Sequence, residues 1–151
     1  MLSRTIDAWI DIEASPDRIW EVLVDFSKWS IWNSFIPLVE GKLQKGQILK
    51  IQVSPPGLKT MTFRPKIFSL IQNKEIVWGG SFLWIAYRGA HLFLLEPLHA
   101  NRTRFRQIER FHGPMVLFMD SMIKKTEKGY HQMNIALKKR VEESGIDACR
   151  F

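Results

Sequence analysis

Cysteine is nearly absent: Cys149 is the only one in 151 residues. No intramolecular disulfide can form, which excludes a secreted disulfide scaffold. Long apolar runs are missing as well, and none approaches the ~18 residues a membrane-spanning helix needs. The first residues include Arg4, Asp7, Asp11 and Glu13 and lack the apolar stretch of a secretion signal, so a cytoplasmic location is expected. Metal-binding spacings are lacking: there is no CxxC or HExxH, and the four histidines are scattered. No metal and no cofactor are expected. Phosphate-cradling glycine loops and nucleophile elbows are absent. Ser121 and Lys124 have S-x-x-K spacing, but they fall inside a helical pattern and the companion motifs are missing.

What is present is a globular composition with many large rings. Apolar residues make up 46% and charged residues 25%, which suits a folded chain. The length suits one domain, residues 1–151. Six Trp and ten Phe must be buried or bind something. The net charge is +7, from eleven basic and nine acidic residues in 1–100 and eleven basic and six acidic in 101–151. Such a surface suits a solvated basic face, an anionic membrane or, less well, nucleic acid.

Periodicity orders the elements. Ile6, Ala8, Ile10 and Ile12 alternate with polar neighbours, which predicts a strand. Ser15-Pro16-Asp17 reads as a helix start, with Ile19, Trp20, Leu23 and Val24 at helical spacing. A second short helical stretch is predicted over 26–32. Closely spaced strands follow from about Ile36, including Thr60 to Leu70, Glu75 to Gly80, His91 to Glu96 and Arg102 to Phe111, and an antiparallel meander is expected. Gly113-Pro114 is expected to start a long helix ending near Gly145. Met115, Met119, Met122, Thr126, Tyr130, Met133, Leu137 and Val141 mark its apolar stripe.

The last strand carries a site hypothesis. Arg102, Arg104, Arg106 and Arg110 share one face and will not be buried together. The opposite face, with Phe105, Gln107 and Glu109, must then point inward. An unpartnered carboxylate there is costly, so Glu109 meets a partner, water or a polar ligand group. His91 alternates with Phe93 and Leu95 and poses the same question. If His91 and Glu109 face one cavity, they are its polar pair and the candidates for general acid/base catalysis.

The order of strand, two short helices, meander and long helix resembles the START-like superfamily, also called SRPBCC or Bet v 1-like. It looks most like the bacterial polyketide cyclase/dehydrase-type branch. The resemblance lies in Ile12 to Trp20, Leu23 to Trp29, Trp32-Asn33, Val77 to Gly80, Gly89 to Phe93 and Glu109 to Gly113. It implies an α+β helix-grip fold, in which a curved antiparallel sheet wraps around the C-terminal helix and leaves a cavity for an apolar ligand. The early glycine-rich loop of plant members is missing. Phe63, Trp78, Phe93 and Phe105 are the candidate aromatic walls, with Met119, Met122, Thr126 and Met133 on the helix side. Gly129 suggests a less bulky wall at mid-helix. The aromatic segment Ser81 to Arg88 is a lid, a membrane-touching loop or part of the core. Three functions follow as expectations: carriage of a hydrophobic small molecule, with Gln107, Glu109 and His91 orienting its polar end; a cofactor-free cyclase or dehydratase; or a basic-surface module for membrane or nucleic acid. The oligomeric state is left open.

Overall fold

The computed structural model describes residues 2–82 and 87–148. The chain begins with strand β1 (Ser3–Ile12), followed by helix α1 (Pro16–Val24), a 3-10 turn (Phe26–Lys28) and the one-turn helix α2 (Trp29–Trp32). Three short strands, β2 (Leu38–Glu40), β3 (Lys50–Val53) and β4 (Met61–Phe63), form one small antiparallel sheet. Four more strands, β5 (Lys66–Ile71), β6 (Glu75–Phe82), β7 (Tyr87–His99) and β8 (Arg102–His112), complete the main sheet with β1, in the order β1-β8-β7-β6-β5. A second 3-10 turn (Pro114–Phe118) leads into helix α3 (Asp120–Ala148). This is the expected helix-grip architecture.

Alternation sets the faces of the main sheet. In β8, Thr103, Phe105, Gln107 and Phe111 are buried. The intervening arginines point outward, where acids from the flanking strands receive them. Arg104 and Arg102 meet Asp11, and Arg106 meets Asp7 and Glu96. Arg104 also lies over the Trp9 ring, 4.0 Å from its centroid, so a half-exposed Trp caps the ladder from the water side.

Several boundaries differ from the sequence reading. Thr60 to Leu70 is two strands, because the chain breaks at Arg64-Pro65; Pro65 cannot donate to a ladder. Strand β7 runs on past Glu96 to His99 and pairs Pro97 with Thr103. The Leu95 amide donates to the Lys74 carbonyl at 2.8 Å, and Pro97, which has no N–H to give, follows two residues later, beyond the last β6 pair of Glu75 with Leu94. The long helix starts at Asp120, preceded by the 3-10 turn, and passes through Gly145 to Ala148. Met115 is therefore exposed rather than part of the buried stripe, which begins at Met119. Ser15 takes the N-cap position of α1, but its hydroxyl makes no capping bond. Residues 83–86 of the aromatic segment lie outside the described residues.

The two sheets join at their edges. The Gly46 amide donates to the Ile67 carbonyl at 2.8 Å, the Ile67 amide to Gln47 at 2.9 Å and the Leu49 amide to Pro65 at 2.8 Å. This seam curls the sheet around α3. The core between them holds Ile6, Ala8, Leu23, Trp29, Phe93 and Leu137, each at most 1–2% exposed.

Candidate functional site

The space between the small sheet, the inner face of β6–β8 and the first turns of α3 is a cavity of about 270 Å³. Its apolar walls include Ile36, Ile51, Val53, Phe63, Trp78 and Phe111. Met122, Thr126 and Tyr130 close it on the helix side. Its exposed wall residues are Thr62, Arg64, Gly80 and Ser81, so the mouth lies between β4 and the end of β6. There β5 has stopped pairing, its last partner being Lys66 with Gly79.

Two polar side chains meet in this cavity. His91 and Glu109 are directly opposed on β7 and β8, which puts their Cβ atoms roughly 4.5–5.5 Å apart. Both line the cavity. Their environments differ. The His91 Nε2–H donates to Gln107 Oε1 at 3.0 Å, and Tyr130 Oη–H donates to His91 Nδ1 at 3.4 Å. Those directions follow from Gln107, whose amide nitrogen is already spent on Asn134 Oδ1 at 2.7 Å and the Tyr130 carbonyl at 3.3 Å; its oxygen is left as an acceptor. The chain Tyr130–His91–Gln107–Asn134 thus has one proton arrangement, and burial holds the imidazole neutral, down to about 3. His91 is further fixed between rings, stacked 4.0 Å from Phe93 and edge-on to Trp78 at 5.8 Å.

Glu109 has no such support. Among the described residues no group donates a hydrogen bond to its carboxyl or forms an ion pair with it. It sits deep inside the protein and stays partly accessible only because it faces the cavity. Desolvation pushes it up to about 8. Near neutral pH it is mainly a carboxylic acid, able to donate one hydrogen bond into an apolar space. His91, with both ring nitrogens engaged and its basicity removed, is not a base at that pH.

The structure sorts the sequence candidates into two groups. Phe63, Trp78, His91, Glu109, Met122 and Thr126 line the cavity. Phe93, Phe105, Gln107, Met119 and Met133 do not; each is at most 4% exposed in packed core. Gln107 acts one layer back, holding His91. Met133 lies beyond Tyr130 along α3, where the helix packs onto the sheet. Gly129 does not thin the wall as expected, because Phe35 fills its place: an added Cβ would fall 2.3 Å from the Phe35 ring. Phe35, a wall residue missed from sequence, stands edge-on to Tyr130 at 5.0 Å. It is aimed there by Asn33, whose Oδ1 accepts from the Phe35 and Ile36 amides at 3.2 and 2.9 Å. The Asn at 33 was a visible turn signal; the direction of the ring after it was not. Among the described residues no cluster of His, Cys, Asp and Glu could hold a metal ion, and no helix is long and apolar enough to cross a membrane.

Known proteins share this architecture. The aromatase/cyclase Zhui of a Streptomyces species superposes with a TM-score of 0.73 at 18% identity, over 93% of this chain and 94% of that one. A norcoclaurine synthase point mutant of Thalictrum flavum, in complex with a transition-state analogue, gives 0.74 at 17% identity, over 95% and 96%. A START superfamily protein of Mycobacterium smegmatis gives 0.69 at 19% identity, over 92% and 97%. At these identities the likeness is one of fold. No curated protein matches the sequence. Residues 3–142 match the family described as polyketide cyclase/dehydrase and lipid transport, so the chain belongs to that family, within the START-like superfamily.

Proposed function

We propose that the protein binds a small, mostly apolar molecule carrying one neutral hydrogen-bond acceptor, with that acceptor set against Glu109. The observation that carries this reading is the unpartnered Glu109 carboxyl facing an apolar, aromatic-walled cavity. A carboxylate there lacks solvation, whereas the neutral acid donates to a carbonyl or ether oxygen at little cost. Apolar walls supply affinity and a few polar groups supply orientation. The volume, about 270 Å³, is just below the ~300–1,000 Å³ of sites for drug-sized ligands. It favours one or two rings over a long acyl chain or an extended polyketide. The family description, with its lipid transport and cyclase members, supports a hydrophobic ligand.

The test uses three naphthalenes of similar size, followed by quenching of tryptophan fluorescence, since Trp78 is in the wall. Acetylnaphthalene should bind best, methylnaphthalene more weakly and naphthylmethylamine weakest. The acetyl preference should vanish as pH rises through about 8. Equal binding of the ketone and the hydrocarbon, or preference for the amine, overturns the reading.

A second reading rests on the same carboxyl. An acid that titrates near neutrality inside a ligand cavity is suited to proton transfer, which is what a cofactor-free cyclase or dehydratase needs. Glu109 alone would carry that role, since both His91 nitrogens are engaged. Deuterium exchange into the acetyl methyl group of bound acetylnaphthalene, lost in Glu109→Gln, would favour the enzyme. Binding without exchange favours the carrier.

A further inference from the structure

We infer that the 3-10 turn ahead of α3 is a membrane anchor and that its partner is an anionic lipid surface. Phe118 is 88% exposed and Leu117 56% exposed. Met115 joins them on the same turn, and Leu2 lies at its base, where its carbonyl accepts from the Gly113 amide at 3.0 Å. Exposed apolar residues scattered singly are ordinary, but a contiguous group at one end of a molecule marks an interaction site.

The exposure is not a frayed end. Val116 and Met119, which flank the pair, are buried at 1% and 4%. The backbone is tied by Val116 N–H to Gly113 and Met119 N–H to Val116, both at 3.2 Å, and by Ile123 N–H to Met119 at 2.8 Å. The fold therefore holds Leu117 and Phe118 outward on a fixed base.

Charge selects the partner. The described segments that meet at this end are 2–5, 87–90 and 110–124. They carry Arg4, Arg88, Arg110 and Lys124, all exposed. Among these described residues the only acid is Asp120, and Arg4 already pairs with it at 3.4 Å. An apolar tip in a basic collar fits an anionic bilayer, with the rings in the acyl boundary and the cations at the headgroups. A second copy of the chain would bring its own basic collar against this one. The outer-face arginines singled out from sequence are a poorer anchor, since Arg102, Arg104 and Arg106 are already matched by carboxylates. This anchor does not depend on what the cavity binds.

The experiment is co-sedimentation with vesicles of phosphatidylcholine, with and without phosphatidylglycerol, at low and high salt. Three proteins are compared: wild type, the double variant Leu117→Ser/Phe118→Ser, and Ile135→Ser. Ile135 is 62% exposed farther along α3 and serves as the control. Wild type should sediment with the anionic vesicles, less so in high salt. The double variant should lose at least about tenfold in partitioning, as expected for two large apolar side chains kept in water. Ile135→Ser should stay close to wild type. Absence of wild-type binding, or a double variant that binds as well as wild type, overturns the anchor. So does sedimentation equilibrium showing a wild-type dimer that the double variant dissolves, because the turn is then an interface between copies.

Discussion

His91 and Glu109 face each other across the β7–β8 ladder and share one cavity, yet they are not bonded to each other. The imidazole is fully occupied by Tyr130 and Gln107, and the carboxyl is left to the cavity. Both are held neutral by the same desolvation, acting on groups of opposite charge type.

That neutrality gives stability an unusual pH course. His91 falls from 6.5 to about 3 on folding, so between those values the unfolded chain holds more protons and stability rises with pH. Glu109 rises from 4.5 to about 8, so across that window the folded chain holds more protons and stability falls with pH. The two slopes oppose each other between 4.5 and 6.5, and above 6.5 only the Glu109 decline remains. Urea midpoints for Glu109→Gln should be flat from pH 6.5 to 8, and the variant should exceed wild type at pH 8 by on the order of a few kcal/mol. Parallel curves for the two proteins would show that Glu109 is ionised at no penalty.

Replacing Gly129 by Ala separates two effects. On an open helix face it would raise stability by about 1 kcal/mol through propensity. Here the new methyl group meets the Phe35 ring and must drive it into the cavity. A loss of about 1–3 kcal/mol is expected, as for overpacking, together with weaker acetylnaphthalene binding. Thermal melts and the quenching titration check both parts; a gain in stability would mean that Phe35 yields freely.

The neighbouring glycines at the cavity mouth should behave differently from each other. A Cβ at Gly79 would fall 2.3 Å from the Gly89 carbonyl oxygen, while at Gly80 nothing lies within 4 Å. Gly79→Ala should destabilise strongly. Gly80→Leu should fold normally and slow ligand association by occupying the mouth, with stopped-flow quenching as the readout. Unchanged association rates in Gly80→Leu would put the mouth elsewhere.

Gln107→Leu keeps the side-chain volume but leaves the His91 Nε2–H and Asn134 Oδ1 without their partner. Two stranded buried groups at ~1–3 kcal/mol each predict a loss of about 2–6 kcal/mol. Nitrogen-15 shifts of His91 should report the Nε2–H tautomer in wild type and a different tautomer mixture in the variant. An unchanged tautomer would assign the orientation of the ring to packing alone.

The parts of this fold visible in sequence were those set by simple periods. The arginine alternation of β8 identified its inward face, because four guanidinium groups tolerate only one side of a sheet. The spacing from Met119 to Val141 identified the helix stripe. What stayed hidden depends on contacts between distant segments. The β3–β4 wall is built from strands of three or four residues, too short for a period to register. Asn134 follows Tyr130 by four residues, so a polar residue on the buried stripe was legible. Its link to Gln107 was not, since that link depends on how α3 crosses β8. The split of the aromatic and methionine candidates, three in the cavity wall and four in the core, has the same origin: alternation says which residues point inward, and only packing says which of them meet empty space.

The outer-face ladder has a consequence for how the molecule approaches other bodies. Arg102, Arg104 and Arg106 are matched there by Asp7, Asp11, Glu13 and Glu96, so that stretch of the face presents no positive excess. The +7 of the chain must reside on the remaining surface. Separated in this way, the charges give the protein a permanent electric dipole moment. In the field of an anionic surface it experiences a torque as well as a pull, which turns the charge-matched stretch of the outer face away from that surface.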